Sequence, residues 1–217
     1  MRDRQLLRNL EEKGYAFFSS DSNQSMVDIA QRFGTIFKVP TMPLVQTLTP
    51  RLRDYEGENT YSGNFGVDEF PYHTDLAHWY IPPRYLFLRC VSPVADVVTK
   101  IIDSKKICED IKPDIFSRSH FKPRKKLDRT TNILKIKDGD IFRWDSVFIE
   151  PANDIAKSLK SLIEERTSST KGLNILLDRA GDCLLIDNWR ILHGRSSVNN
   201  ESMGRIIERV YFTEVKI

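Results

Sequence analysis

The feature that most limits how this chain can fold is a succession of short strand-like runs interrupted by only a few helical patterns. Leu44–Leu48, Tyr85–Val91, Val97–Ile102, Asn132–Ile136, Ile141–Trp144, Leu173–Leu177, Cys183–Ile186 and Arg205–Val215 all read as strands, and most are bounded by Gly, Pro, Asp or Asn. Tyr15-Ala16-Phe17-Phe18 adds another, and Asp138-Gly139-Asp140 is a good turn between two of them. Helical spacing is confined to three places. Leu6, Leu7 and Leu10 precede Gly14, and Met26, Ile29, Ala30 and Phe33 follow a candidate cap at Asp21 or Ser22. Ile155, Leu159, Leu162 and Ile163 share a face between about Asn153 and Glu165. Many short strands with a few helices predict a mostly β fold with flanking helices, built on a double-stranded β-helix, or jelly roll. A length of 217 residues suits one domain spanning 1–217. The polar stretch Gly57–Phe70 is expected to be a loop over a site.

Charge and cysteine usage exclude several function classes. The formal net charge of +3 is too small to argue for nucleic acid, which calls for a concentrated basic stripe. The one dense basic run, Lys122-Pro123-Arg124-Lys125-Lys126, reads first as a solvated loop and second as a rim attracting an anionic substrate. Cys90, Cys108 and Cys183 are odd in number and lack C-x-x-C spacing, so no disulfide is expected. No apolar run is long enough to span a bilayer, and the amino terminus leads into an amphipathic pattern. A cytoplasmic protein without nucleic-acid or membrane partners is the simplest expectation.

The chemistry concentrates in three segments. In Tyr72-His73-Thr74-Asp75, residues i and i+2 of an extended segment share a face, so one imidazole and one carboxylate could meet one metal ion. Asp187-Asn188-Trp189-Arg190-Ile191-Leu192-His193-Gly194-Arg195 supplies a distant histidine that could complete the set. Two histidines and one carboxylate leave adjacent coordination positions open, which suits iron(II) oxygen chemistry; each fragment alone is also compatible with ordinary packing. In the last strand, period two puts Arg205, Ile207, Arg209 and Tyr211 on one face. Guanidinium groups there suit a carboxylate, which they grip through parallel hydrogen bonds.

In order and spacing these segments resemble the taurine dioxygenase and clavaminate synthase-like branch of the iron(II)/2-oxoglutarate oxygenases. The resemblance runs from the amino-terminal helix and Gly14-Tyr15-Ala16-Phe17, through His73-Thr74-Asp75 and Arg143-Trp144-Asp145, to His193 and the last strand. It implies that His73, Asp75 and His193 hold iron(II). It implies that Arg205, twelve residues after His193, binds 2-oxoglutarate, with Thr99 adding a hydroxyl. The family often places that threonine in a Gly-Gly-x-Thr turn, where this chain reads Ala95-Asp96-Val97-Val98-Thr99. The implied reaction consumes 2-oxoglutarate and dioxygen, releases succinate and carbon dioxide, and hydroxylates a small molecule. A carboxylate at Asp75 favours hydroxylation, desaturation or ring formation over halogenation. Candidate substrate contacts are Arg209, Asn64, Tyr61, Arg143 and Asp145. The last two could pair with each other or grip the two charges of an amino acid. A zinc hydrolase with the same ligands and a non-catalytic keto-acid sensor are the competing readings.

Overall fold

The computed structural model describes residues 2–125 and 132–216. The strands are β1 (Tyr15–Ser19), β2 (Ile36–Phe37), β3 (Gln46–Leu48), β4 (Phe70–His73), β5 (Tyr85–Ser92), β6 (Val98–Asp103) and β7 (Phe121–Pro123). They continue with β8 (Lys137–Asp138), β9 (Ile141–Phe142), β10 (Ile149–Pro151), β11 (Leu173–Leu176), β12 (Asp182–Asp187), β13 (Ile191–Arg195) and β14 (Ile206–Phe212). The helices are α1 (Arg2–Lys13), α2 (Met26–Gln31), α3 (Tyr61–Phe65), α4 (Ser104–Ile107), α5 (Pro113–Arg118) and α6 (Asp154–Ser169).

Two antiparallel sheets carry the architecture. The larger runs β1-β12-β5-β14-β2, with β3 also paired to β14, and the smaller runs β11-β6-β13-β4. Period-two alternation decides what lies between them. Leu86, Leu88 and Cys90 of β5, Leu184 and Ile186 of β12 and Ile207 and Tyr211 of β14 meet Ile101 of β6, Ile175 of β11 and Ile191 of β13 in one buried cluster. The opposite faces of the same strands are also apolar. Phe87, Cys183, Leu185, Val210 and Phe212 pack under Leu6 and Leu10 of α1 and Met26, Ile29 and Ala30 of α2. Ile102 and Leu192, on the outer face of the smaller sheet, pack with Ile107, Phe116 and the α6 residues Ala156, Leu159 and Ile163. Burying each large aliphatic or aromatic side chain is worth roughly 1.5–3 kcal/mol. The sheets are therefore held on both sides, and the inner faces of β6, β13 and β14 are left as fixed platforms.

Several expectations are corrected. Helix α2 is capped by Ser25, whose Oγ accepts from the Asp28 N–H at 3.1 Å, and not by Asp21 or Ser22. Asn132–Ile136 forms no strand; only Leu134 bridges to Phe121. The polar stretch 57–70 contains α3, capped by Thr60. Helices α4 and α5 lie outside the three helical patterns of the sequence; α4 has only four residues, and α5 buries a single side chain, Phe116, so neither shows an apolar period. The Asp138-Gly139-Asp140 turn joins β8 to β9, with Gly139 at φ 57. Among the described residues, no helix is long and apolar enough to cross a membrane.

Candidate metal centre and its cavity

Strand pairing brings the two distant histidines together. β4 pairs with β13 so that His73 lies opposite His193, with ring centroids 4.4 Å apart. The register slips between His193 and Arg195, and Gly194 sits at the slip. A Cβ there would lie 2.6 Å from the Phe70 carbonyl oxygen, so only glycine lets the two strands approach this closely. β4 ends at His73, and Asp75 comes from the turn that follows it, not from a continued strand. Thr74 N–H donates to the Trp144 carbonyl at 2.8 Å. Asn188, fully buried, accepts from Asp75 N–H at 2.7 Å and donates back to the Asp75 carbonyl at 3.0 Å. Leu76 then takes a left-handed φ of 56, a strained conformation for a leucine directly beside the site.

The outcome is a compact set of donors. Asp75 Oδ1 lies 3.5 Å from His73 Nε2 and 3.6 Å from His193 Nε2. One ligand atom from each of the three residues falls within 4.8 Å of the others, and all three residues are buried. His73 Nδ1 is 2.8 Å from the Pro71 carbonyl oxygen. A carbonyl can only accept, so the proton sits on Nδ1 and the Nε2 lone pair faces the centre. Burial, reinforced by the neighbouring His73, holds His193 below the usual histidine range and so in the neutral form a metal requires. Burial alone would raise the Asp75 carboxyl, but Arg209 and the two histidines outweigh it and hold it well below the usual range. Two imidazoles and one carboxylate, all buried, fit an iron(II) ion with open positions.

The centre opens on a cavity of about 690 Å³. Arg205 and Thr99 line it together, Thr99 from the inner face of β6 and Arg205 from just before β14. Arg205 is 8% exposed, forms no ion pair with any described residue, and its Nε has no hydrogen-bond partner. Burial pushes its guanidinium below the usual arginine range, and the Cys90 thiol offsets this only in part. A second guanidinium, Arg195, is lowered to about 10 by burial and by repulsion from Arg205. It stacks over the Phe70 ring at 3.8 Å and donates to the Gly66 and Asp68 carbonyls. This end of the cavity thus holds a buried cation with no anion paired to it among the described residues.

On the other side, the Tyr61 ring stacks on His73 with centroids 4.0 Å apart, and its hydroxyl donates to Asp145 Oδ2 at 2.8 Å. Asp145 Oδ1 accepts the Val147 and Phe148 N–H groups at 2.7 and 2.8 Å. Burial raises the Asp145 carboxyl, while His73 and these hydrogen bonds partly counter the rise. Tyr61 and Asp145 face the cavity; Arg143 and Asn64 are not part of its wall. The expected Arg143–Asp145 pair does not form. β9 ends at Phe142, so the alternation that would put both on one face stops before them. Arg143 is buried and donates instead to the carbonyls of Ala77, Trp79 and Tyr80. Asn64 donates to the Glu58 and Thr60 carbonyls within its own loop. Of the basic run, Pro123, Arg124 and Lys125 line the cavity, and Lys126 lies outside the described residues. Arg209 touches the cavity, but its guanidinium is turned to Asp75 and Gln46. The sequence reading gave no role to Asn188 or Gln46; Asn188 at least lay inside the segment leading to His193.

A family model described as taurine catabolism dioxygenase TauD, TfdA family matches residues 2–132. No curated protein matches the chain. Among solved structures, an asparagine oxygenase in complex with Fe(II), 2S,3S-3-hydroxyasparagine and succinate superposes with a TM-score of 0.73 at 15% identity, over 96% of this chain and 78% of that one. The non-heme iron oxygenase OrfP in complex with Fe and alpha-ketoglutaric acid gives 0.73 at 18% identity, over 98% and 79%. The PvcB protein from Pseudomonas aeruginosa gives 0.64 at 15% identity, over 96% and 79%. These likenesses establish the fold.

Proposed function

This chain belongs to the taurine catabolism dioxygenase TauD, TfdA family, and on that premise we propose that it is a non-haem iron(II)- and 2-oxoglutarate-dependent dioxygenase that hydroxylates a small molecule. The two facing sheets are read as a jelly roll, and residues 1–217 as one catalytic domain. His73, Asp75 and His193 would hold iron(II). Arg205, helped by the Thr99 hydroxyl, would hold the distal carboxylate of 2-oxoglutarate. Bound iron supplies the coupling that lets dioxygen decarboxylate 2-oxoglutarate to succinate and carbon dioxide while one oxygen atom converts a substrate C–H to C–OH.

The protein's own contribution is positioning and exclusion of water. Pro71 fixes the His73 tautomer, and the Tyr61 ring covers one face of that imidazole. Asn188 fixes the backbone of Asp75. The observation that carries the reading is Arg205: a buried guanidinium with no anion paired to it among the described residues, facing the same cavity as the three donors. A zinc hydrolase would have no use for it. Tyr61 and Asp145 border the space left for the prime substrate. A solved relative holds a hydroxylated amino acid, which supports an amino-acid-like substrate here, with Asp145 available to an amine. The free thiols of Cys90, Cys108 and Cys183 suit a reducing compartment such as the cytoplasm.

The test is anaerobic titration of the purified protein with iron(II) and then 2-oxoglutarate, followed by a screen of metabolites for stimulated succinate formation. Iron-dependent 2-oxoglutarate binding and substrate-dependent succinate are the expected results. Turnover that is supported by zinc and is independent of 2-oxoglutarate would reject the assignment.

A further inference from the structure

Asp75 has two carboxylate oxygens, and the structure treats them differently. Oδ1 faces the Nε2 atoms of His73 and His193. Oδ2 accepts Arg209 Nη1 at 3.0 Å and the Tyr211 hydroxyl at 2.8 Å. The rest of the Arg209 fork is braced in turn. Its Nε and Nη2 donate to Gln46 Oε1 at 3.1 and 2.6 Å. The sequence places these groups there for plain reasons. Arg209 and Tyr211 are two apart on the inner face of β14, and Gln46 of β3 is the register partner of Arg209. Gln46, Asp75 and Tyr211 are all buried, so these contacts face little competition from water.

We infer that Arg209, Tyr211 and Gln46 are positioning residues for the metal, acting through Asp75. An oxygen that already accepts two donors has used both lone-pair directions. Asp75 therefore offers an ion one oxygen, Oδ1, and is kept from turning to offer two. A two-oxygen carboxylate would fill a position that the keto acid needs. This assigns Arg209 a different task from gripping the prime substrate: its fork is already committed to Gln46 and to a ligand of the metal. The inference rests on the proposed metal role of His73, Asp75 and His193.

The experiment uses the full chain with Co(II) as the probe, read by its visible absorption, and separately measures 2-oxoglutarate binding to metal-saturated protein. Tyr211→Phe keeps the ring and removes only the hydroxyl, Arg209→Met removes the charge, Arg209→Lys restores it without the fork, and Gln46→Leu removes the brace. Thermal unfolding establishes that each variant is folded. Loss of such supporting contacts typically weakens metal binding about 10–100-fold. Tyr211→Phe should weaken Co(II) about tenfold and alter its spectrum, because Asp75 can then ligate differently. Arg209→Met should lose more, Arg209→Lys should recover part of it, and Gln46→Leu should fall between wild type and Arg209→Met. The 2-oxoglutarate constant of the metal-saturated variants should stay within about threefold of wild type. Folded variants with wild-type Co(II) affinity and spectrum would overturn the inference, and a selective loss of 2-oxoglutarate affinity would reassign Arg209 to anion binding. A wild-type protein that binds no Co(II) would instead overturn the metal site itself, and this inference with it.

Discussion

Replacing Arg205 by methionine should make the protein more stable and useless to its cosubstrate at once. A buried guanidinium without a counter-charge carries a desolvation cost that nothing among the described residues repays. Methionine fills a similar volume without charge. Replacing even a buried ion pair by well-packed apolar side chains can stabilise by about 1–4 kcal/mol, and an unpaired ion has no attraction to lose. At roughly 2–4 °C per kcal/mol for a chain of this size, the metal-free Arg205→Met variant should melt at least ~2 °C above wild type. Ligand binding reverses the order. With 2-oxoglutarate at about 100 times its dissociation constant, wild type gains about 2.7 kcal/mol, or roughly 5–11 °C. The variant loses its charge partner, a change worth about 2–5 kcal/mol in binding. Its affinity should fall roughly thirty-fold to several-thousand-fold, so at the same concentration the ligand should add about 0.9 kcal/mol or less, a shift of at most roughly 2–3 °C. Differential scanning fluorimetry with and without 2-oxoglutarate, on metal-loaded protein without oxygen, reads both effects. A variant that is less stable than wild type yet still shifted by 2-oxoglutarate would refute the reasoning, because Arg205 would then be a structural cation.

Further tests address the metal, the strand approach and the thiols. His193→Ala should abolish iron binding by calorimetry while leaving far-ultraviolet circular dichroism near wild type; undiminished iron binding would exclude His193 as a ligand. Gly194→Ala must push against the Phe70 carbonyl, so it should cost at least about 1 kcal/mol in denaturant unfolding and weaken metal binding by displacing His193. Cys90, Cys108 and Cys183 are each raised by burial to about 11, so at pH 8 the native protein should react slowly with iodoacetamide, and three thiols should appear on unfolding. The linkage sign follows from the same shifts. From the ordinary thiol value of 9.0 up to about 11 the unfolded chain loses thiol protons that the native chain keeps, so stability should fall as pH rises through that window. Urea midpoints measured between pH 8 and pH 11 check this against a triple Cys→Ala variant.

How much was legible in the sequence depended on the range of the interaction involved. The inner and outer faces of β5, β12 and β14 follow from period two, and the three longer helical patterns lie where spacing put them. His73, Asp75 and His193 could be chosen because the chemistry of a shared metal limits the residue types. Their convergence depends on β4 pairing with β13, which no local pattern encodes. The placing of Arg143 beside Asp145 failed for the opposite reason. Alternation was extended past a strand only two residues long, and Arg143 turned to backbone carbonyls instead. The Gln46–Arg209–Asp75 chain was hidden because Gln46 enters through a three-residue edge strand, and a lone glutamine carries no motif.

The β4–β13 pairing also has a consequence for the order of folding. His73 and His193 are opposite one another in the sheet but lie 120 residues apart in the chain. Closing so long a segment costs entropy before the contact rewards it, and β1–β12 and β2–β14 close longer segments still, so the three donors should meet only late, as the two sheets are completed. An ion bound there stabilises only what has already formed. Iron should therefore leave the refolding rate almost unchanged and appear chiefly as slower unfolding.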